Sequence, residues 1–376
     1  MTEVRLFTPG PTPVPERVRK AGSQPMIHHR SPEFSAVLAS IRKRLAELCG
    51  TSGQVAIFPS SGTGGLEAAA GSLFARGDEV VVVEAGKFGE RWVELARHFG
   101  LKAKVVRAEW GRAATAKQVT HELSSSTRGV LIQACESSTG AFHPVVEIGR
   151  TLSKRDDTLL VVDAITAIGI HDLDMQRDGI DVMIGASQKA LMSPPGLATV
   201  AVGPRALQRL ETSKPQAYYF DLKREIAKQR DGEASFTPAI SLCRSLNAAL
   251  GMIEEEGKEA VFARHKKMSA MARAAFREDG LDLFNRDDEA TYGITVANIP
   301  KGLDAKKWLS DLKTQEGLWL AGGQGSLSGK IFRLAHMGAC TPADLLGAIE
   351  TIEGSLAGHF PQAAKRAGYR KAKALS

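Results

Sequence analysis

Cysteine is scarce in this chain of 376 residues: Cys49, Cys135, Cys243 and Cys340 are the only four, and no two form a CxxC pair. That scatter argues against a disulfide framework and against a cysteine zinc site. Long apolar runs are missing as well. The run "VVVV" at 80–83 is of strand length, far short of the ~18 residues a membrane span needs. The opening residues, "MTEVRLFTPGPTPVPERVRK", have no apolar stretch behind a basic one. No cleaved signal is expected from them, and the cytosol is the expected compartment. Repeats and low-complexity linkers are absent, which sets aside repeat architectures. Histidine offers no metal site either: His28 and His29 in "MIHHRSPEF" have no carboxylate or third ligand nearby.

The formal charge of +7 invites a nucleic-acid interpretation, but it is unevenly spread. Lys365, Arg366, Arg370, Lys371 and Lys373 all lie in "AAKRAGYRKAKALS"; taking those five from +7 leaves a body of +2. A solvated basic tail is expected, with no nucleic-acid partner.

What the chain does have is an alternation of strand-like and helix-like segments from about residue 50 to 205. "QVAIFPSS", "DEVVVVEAG", "AKVVRAE", "RGVLIQACE", "TLLVVDAI", "IDVMIGAS" and "LATVAVG" are short, rich in Val and Ile, and mostly apolar throughout. Strands of that kind are covered on both faces, which predicts an α/β domain with a mainly parallel sheet flanked by helices. After about residue 240, long amphipathic helices and two isolated strand patterns predict a smaller α+β domain. The boundaries expected are an N-terminal segment 1–18 packing on the small domain, a large domain 19–255, and a small domain 256–376 carrying the tail.

Ligands of open parallel sheets gather at the carboxyl ends of the strands. After the first strand comes "SSGTGGLE", a glycine-rich turn into a helix. Such a turn lets backbone N–H groups approach a phosphate, although a plain tight turn is the alternative. Gly62 and Gly64, with Glu84 twenty residues beyond Gly64, also suggest a dinucleotide fold. The third fingerprint position is Glu67, however, where close helix–strand packing wants Gly or Ala. Asp163 closes "TLLVVD", and Lys189 follows "IDVMIGASQ" 26 residues later. Asp163 could equally be a turn former and Lys189 an ion-paired lysine. Together the phosphate cradle, the acid and the amine match the needs of pyridoxal phosphate. An amine forms its Schiff base, a carboxylate keeps its ring nitrogen protonated, and N–H donors hold its phosphate. Pro194, Pro195 and Gly196 stiffen the loop that aims Lys189.

Nearly end to end, the chain resembles the class V, fold-type I pyridoxal-phosphate aminotransferases of the alanine–glyoxylate and serine–pyruvate type. The blocks "LFTPGPTPVP", "HRSPEF", "SSGTGGLEAA", "ESSTG", "VVDAITAIGI", "DVMIGASQKALMSPPGLATVAV", "TPAISL" and "GKIFRLAHMG" arrive in family order. The resemblance implies that Lys189 is the aldimine lysine and Asp163 the partner of the ring nitrogen. It implies Thr63, Gly64, Gly65 and Gln188 at the phosphate, Phe88 stacked on the ring and Ser137 near its phenolic oxygen. Arg333 and Gly10 fall at the substrate, with Arg333 as the carboxylate clamp. Thr237 in "SFTPAISL" corresponds to a phosphate contact given by a second subunit, so a homodimer is implied; the tyrosine that often precedes it in the family is missing. His336 could line the substrate pocket. The implied reaction moves an amino group from alanine or serine to glyoxylate or pyruvate through a Lys189 aldimine. Rivals are a cysteine desulfurase, for which Cys340 would be the nucleophile, a nicotinamide dehydrogenase, and a basic non-enzymatic scaffold.

Overall fold

The computed structural model describes residues 4–376. Among the described residues thirteen strands follow one another: β1 (Arg5–Phe7), β2 (Gln54–Phe58), β3 (Glu79–Glu84), β4 (Lys102–Arg107), β5 (Thr127–Gln133), β6 (Cys135–Glu136), β7 (Ala141–Phe142), β8 (Leu159–Asp163), β9 (Val182–Ala186), β10 (Ala198–Val202), β11 (Ile294–Asn298), β12 (Leu318–Gly322) and β13 (Ile331–Ala335). The seven apolar segments expected as strands form one seven-stranded sheet in the order β2-β10-β9-β8-β5-β3-β4. Its β4–β3, β3–β5, β5–β8 and β8–β9 pairs are parallel, while β10 runs antiparallel to both its neighbours. The sheet is thus mainly parallel, as expected.

Alternation along the strands explains why these runs carry no polar face. Val81, Val83, Val130, Ile132, Leu160 and Val162 enter one apolar core. Val80, Val82, Leu131, Val161, Val182 and Ile184 enter another on the opposite face. With helices covering both faces, every position must be apolar.

A second sheet has the order β1-β12-β13-β11, and β1 joins it by pairing in parallel with β12. Its core contains Phe7, Trp308, Leu318, Leu320, Phe332 and Leu334, covered by the helices Lys258–Glu278, Ala305–Thr314 and Pro342–Leu356. From β1 the chain runs straight to the end of the large sheet. The Thr12 N–H donates to the Gln188 carbonyl (3.1 Å) and the Thr12 hydroxyl to the Lys189 carbonyl (2.9 Å). Residues 5–12 therefore stitch the smaller sheet to the turn that carries the lysine.

The basic tail differs from expectation. It is not a solvated extension but a helix, Ala367–Leu375, whose Ala367, Gly368 and Ala372 are buried. A small-residue stripe on one face lets the helix dock while its cations stay in water.

Candidate active site

β8 delivers Asp163 to the carboxyl edge of the large sheet. The side chain is buried, its Oδ1 accepts from Ile165 N at 3.0 Å, and it makes no ion pair among the described residues. Burial pushes this carboxyl up to about 7, against the opposing pull of the Ile165 N–H and of nearby cations. The neighbouring β9 ends at Ala186 and leads into a turn in which Met192 N donates to the Lys189 carbonyl (3.0 Å). The Lys189 amine donates to the Pro9 carbonyl. Burial pushes it down to about 8, with Asp163 pulling the other way and Arg333 and Arg91 adding to the depression. Gly10 makes this approach possible. Its φ is +113°, and a Cβ there would stand 2.5 Å from Lys189 Nζ, so both the backbone region and the space require glycine.

The glycine loop lies against the same strand ends. A Cβ on Gly62 would collide with Ile165 and come within 3.3 Å of the Ala186 side chain. The helix Gly62–Leu73 begins here without a side-chain cap; Gly64 N donates to the Ser61 carbonyl (2.9 Å), and no side chain takes the other first-turn N–H groups, among them Thr63 and Gly65. A Cβ on Gly64 would run into Ser60 and Phe220. Beside Lys189, the Oε1 of Gln188 is buried without a partner.

Across the cleft stands Phe88, in the first turn of the helix Lys87–His98. That turn is held by Glu136, a buried carboxylate that accepts from Phe88 N and Gly89 N (3.0 Å each) and from the Ser138 hydroxyl (2.5 Å). Negative charge is favourable at a helix N-terminus. Burial nevertheless raises the Glu136 carboxyl, the hydrogen bonds opposing it. Sequence reasoning selected Ser137 from "ESSTG" and passed over Glu136; an acid ending the apolar run "VLIQAC" was the available signal.

Arg333, on β13, is 5% exposed and has no carboxylate partner among the described residues. Its Nη1 donates to the Ser137 carbonyl (2.8 Å), and Nε and Nη2 donate to the Gly322 carbonyl (3.1 and 2.7 Å). Carbonyls fix the fork without neutralising it, and a guanidinium has five N–H donors, so some remain free. Burial pushes this group down to about 10, and at neutral pH it stays charged.

Lys189, Gly10, Phe88, Ser137 and Arg333 line one cleft of about 320 Å³, together with Leu6, Thr8, Trp319 and Gln324. No Asp or Glu is in its lining, so the open cleft is cationic. Thr63, Gly64, Gly65, Asp163 and Gln188 stand outside that lining. Thr237 is elsewhere: it is exposed in a surface groove with Met26, His28 and His29.

One expectation needs correction, and one rival loses its nucleophile. His336 does not line the cleft; it is fully buried, with Nε2 bonded to the Thr295 hydroxyl at 2.9 Å. Cys340 is also buried, and burial pushes its thiol up to about 12. That is the reverse of what a reactive thiolate needs.

The donor set fits pyridoxal phosphate. A lysine amine with a depressed pKa, a buried carboxylate lacking a cation, an orphaned amide oxygen, an aromatic ring and an uncapped helix start converge from neighbouring elements. The comparisons with known proteins agree. The model of the family "Aminotransferase class-V" matches residues 4–340. A soluble hydrogenase 42 kDa subunit from Anabaena cylindrica is 36% identical over 355 residues, covering 93% of this chain and 92% of that protein. An L-aspartate–glyoxylate aminotransferase from Paracoccus denitrificans is 34% identical, covering 93% and 90%. The crystal structure of an alanine–glyoxylate aminotransferase from Nostoc sp. superposes with a TM-score of 0.90 at 26% identity, covering 95% and 96%. The chain belongs to the class V aminotransferase family, and its cofactor is pyridoxal phosphate.

Proposed function

We propose that this aminotransferase moves an amino group from a small L-amino acid, alanine or serine, to a small 2-oxo acid, glyoxylate or pyruvate. The observation that carries this is Arg333: a buried guanidinium without a carboxylate partner, in the same cleft as the Lys189 amine. Both substrates offer the carboxylate it lacks, and a guanidinium takes a carboxylate bidentately. Glyoxylate is the acceptor named for the Paracoccus and Nostoc proteins alike.

When bound, pyridoxal phosphate supplies a carbonyl for amines to attack and a ring that accepts the electron pair left at the donor's α-carbon. Lys189 would hold the cofactor covalently, its neutral amine attacking the carbonyl carbon as the carbonyl oxygen leaves as water. Freed by the donor's amine, the same side chain would be the base that takes the α-proton and the acid that returns it. A pKa near 8 gives it both forms close to neutral pH. Asp163 would hold the ring nitrogen protonated, Phe88 would stack on the ring and Ser137 would stand at the phenolic oxygen. Thr63, Gly64, Gly65 and Gln188 would hold the phosphate. Gly10 leaves room for the substrate beside Lys189. Thr237 serves the phosphate of a second copy, in a cytoplasmic homodimer whose chains divide at residues 18 and 255.

Absorbance tests this directly. The wild type mixed with pyridoxal phosphate shows a visible band that borohydride traps on the protein, and Lys189→Ala traps none. L-alanine then bleaches the band and glyoxylate restores it. Trapping by Lys189→Ala would remove the role of Lys189. Faster bleaching by aspartate than by alanine or serine would replace the donor class while keeping the reaction.

A further inference from the structure

Successive side chains of a strand face opposite ways. On β12, Leu318 and Leu320 enter the core, while Trp319 and Ala321 face the cleft. Ala321 is the register partner of Arg333. Trp319 therefore stands about 7 Å further along the strand, two residues at ~3.3 Å each. On its other side Trp319 is in register with Leu6 of β1, which lines the same cleft. The indole is 40% exposed. The Lys313 ammonium lies 3.5 Å from its ring centroid and forms no ion pair among the described residues. A cation over an indole face fixes the ring in place. Core packing does not call for a tryptophan on this face, since the core is filled by its neighbours.

We propose that Trp319, braced by Lys313 and flanked by Leu6, is the wall that meets the donor's side chain and confines the enzyme to short ones. The inference rests on the proposed function in one respect, the substrate carboxylate at Arg333. With that carboxylate anchored and the α-carbon turned to Lys189, alanine or serine ends short of the indole. A branched or aromatic side chain has to displace a ring that the cation holds.

The test compares the holoenzyme with Trp319→Ala and the milder Trp319→Phe, using two readouts. The first is the ratio of kcat/KM for L-leucine to that for L-alanine, followed by bleaching of the visible band. The second is the ratio of calorimetric affinities for 4-methylpentanoate and propionate, which are those donors without the amine. Trp319→Ala raises both ratios by about tenfold or more, the scale on which a pocket discriminates by methylenes; Trp319→Phe falls between, and Lys313→Ala moves them a smaller step the same way. Ratios unchanged within about twofold, or no carboxylate bound by either protein, overturn the wall. Alanine turnover with unchanged ratios keeps the proposed reaction and removes Trp319 as its selector. A shifted carboxylate ratio in a protein that bleaches with no amino acid does the opposite.

Discussion

At the scale of single residues, the chemistry depends on two groups whose charge burial makes costly. Burial lowers the Lys189 amine to about 8 and raises the Asp163 carboxyl to about 7. Only the neutral amine attacks a carbonyl, so the rate at which the apoprotein captures pyridoxal phosphate rises about tenfold per pH unit up to about pH 8 and levels off above it. Stopped-flow absorbance reads that profile. Asp163 pulls Lys189 toward its charged form; in Asp163→Asn the midpoint of the profile moves down, below 8. An unmoved midpoint would show that the two groups do not interact. For Arg333 the expected effect is on binding. Arg333→Lys keeps the charge but loses the fork, so KM for both the amino donor and the oxo acceptor rises about ten- to hundredfold. Steady-state kinetics with each substrate varied in turn checks it.

At the scale of elements, Glu136 ties the ribbon of β6 and β7 to the helix that presents Phe88. Glu136→Gln keeps the shape but leaves one of the Phe88, Gly89 and Ser138 donors poorly matched. The expected loss is about 1–3 kcal/mol, the cost of an unsatisfied buried group, read as a lower denaturant midpoint with an unchanged slope. Weaker retention of pyridoxal phosphate should accompany it, since Phe88 loses its anchor; equal stability would assign Glu136 no structural share. The existence of these elements was legible in the sequence because a strand covered on both faces must be continuously apolar, and "VVVVE" and "LLVVD" are. The direction of β10 was not legible: "LATVAVG" is as apolar as its parallel neighbours, and only the short path from Ala186 back through Pro194–Gly196 makes it antiparallel.

For the molecule as a whole, the C-terminal helix is the largest departure from expectation. Asp279, at the end of the helix Lys258–Glu278, accepts from Gly368 N at 2.9 Å, and Glu353 of the helix Pro342–Leu356 accepts from Tyr369 N at 2.9 Å. The two carboxyls are buried at the start of the C-terminal helix, and Glu353 Oε2 has no hydrogen-bond partner among the described residues. Burial first, then the Glu353 carboxyl, holds Asp279 well above its ordinary 3.8, with Glu278 adding to it. Arg366, which pairs with Glu350 and lies over the Tyr369 ring, and Lys373, 6.0 Å from the same ring, are cations at the start of this helix. The folded state therefore binds a proton that the unfolded state has released. The stabilisation is complete below pH 3.8 and declines as pH rises above it, until folded Asp279 also loses its proton. Thermal unfolding of Asp279→Asn across that range should show a flatter pH dependence than the wild type; parallel curves would show that folded Asp279 holds no extra proton.

The sequence by itself determined the seven strands, their burial on both faces, and the residue types at their carboxyl ends. Those follow from local pattern, because a strand's covering and a turn's glycine are needs of a few neighbouring residues. Lys189, Asp163 and the glycine loop could be proposed as one site because they end or follow strands of one sheet. Tertiary structure alone decided the rest. Nothing local brings Pro9 to the lysine, Glu136 to the helix of Phe88, or Arg333 to a cleft free of acids. It likewise took the fold to bury His336, to set Trp319 beside Leu6, and to dock a cationic tail through its small residues onto two carboxyls. Each of these depends on contacts between segments far apart in the chain, whose partners are set by how the two sheets close on each other.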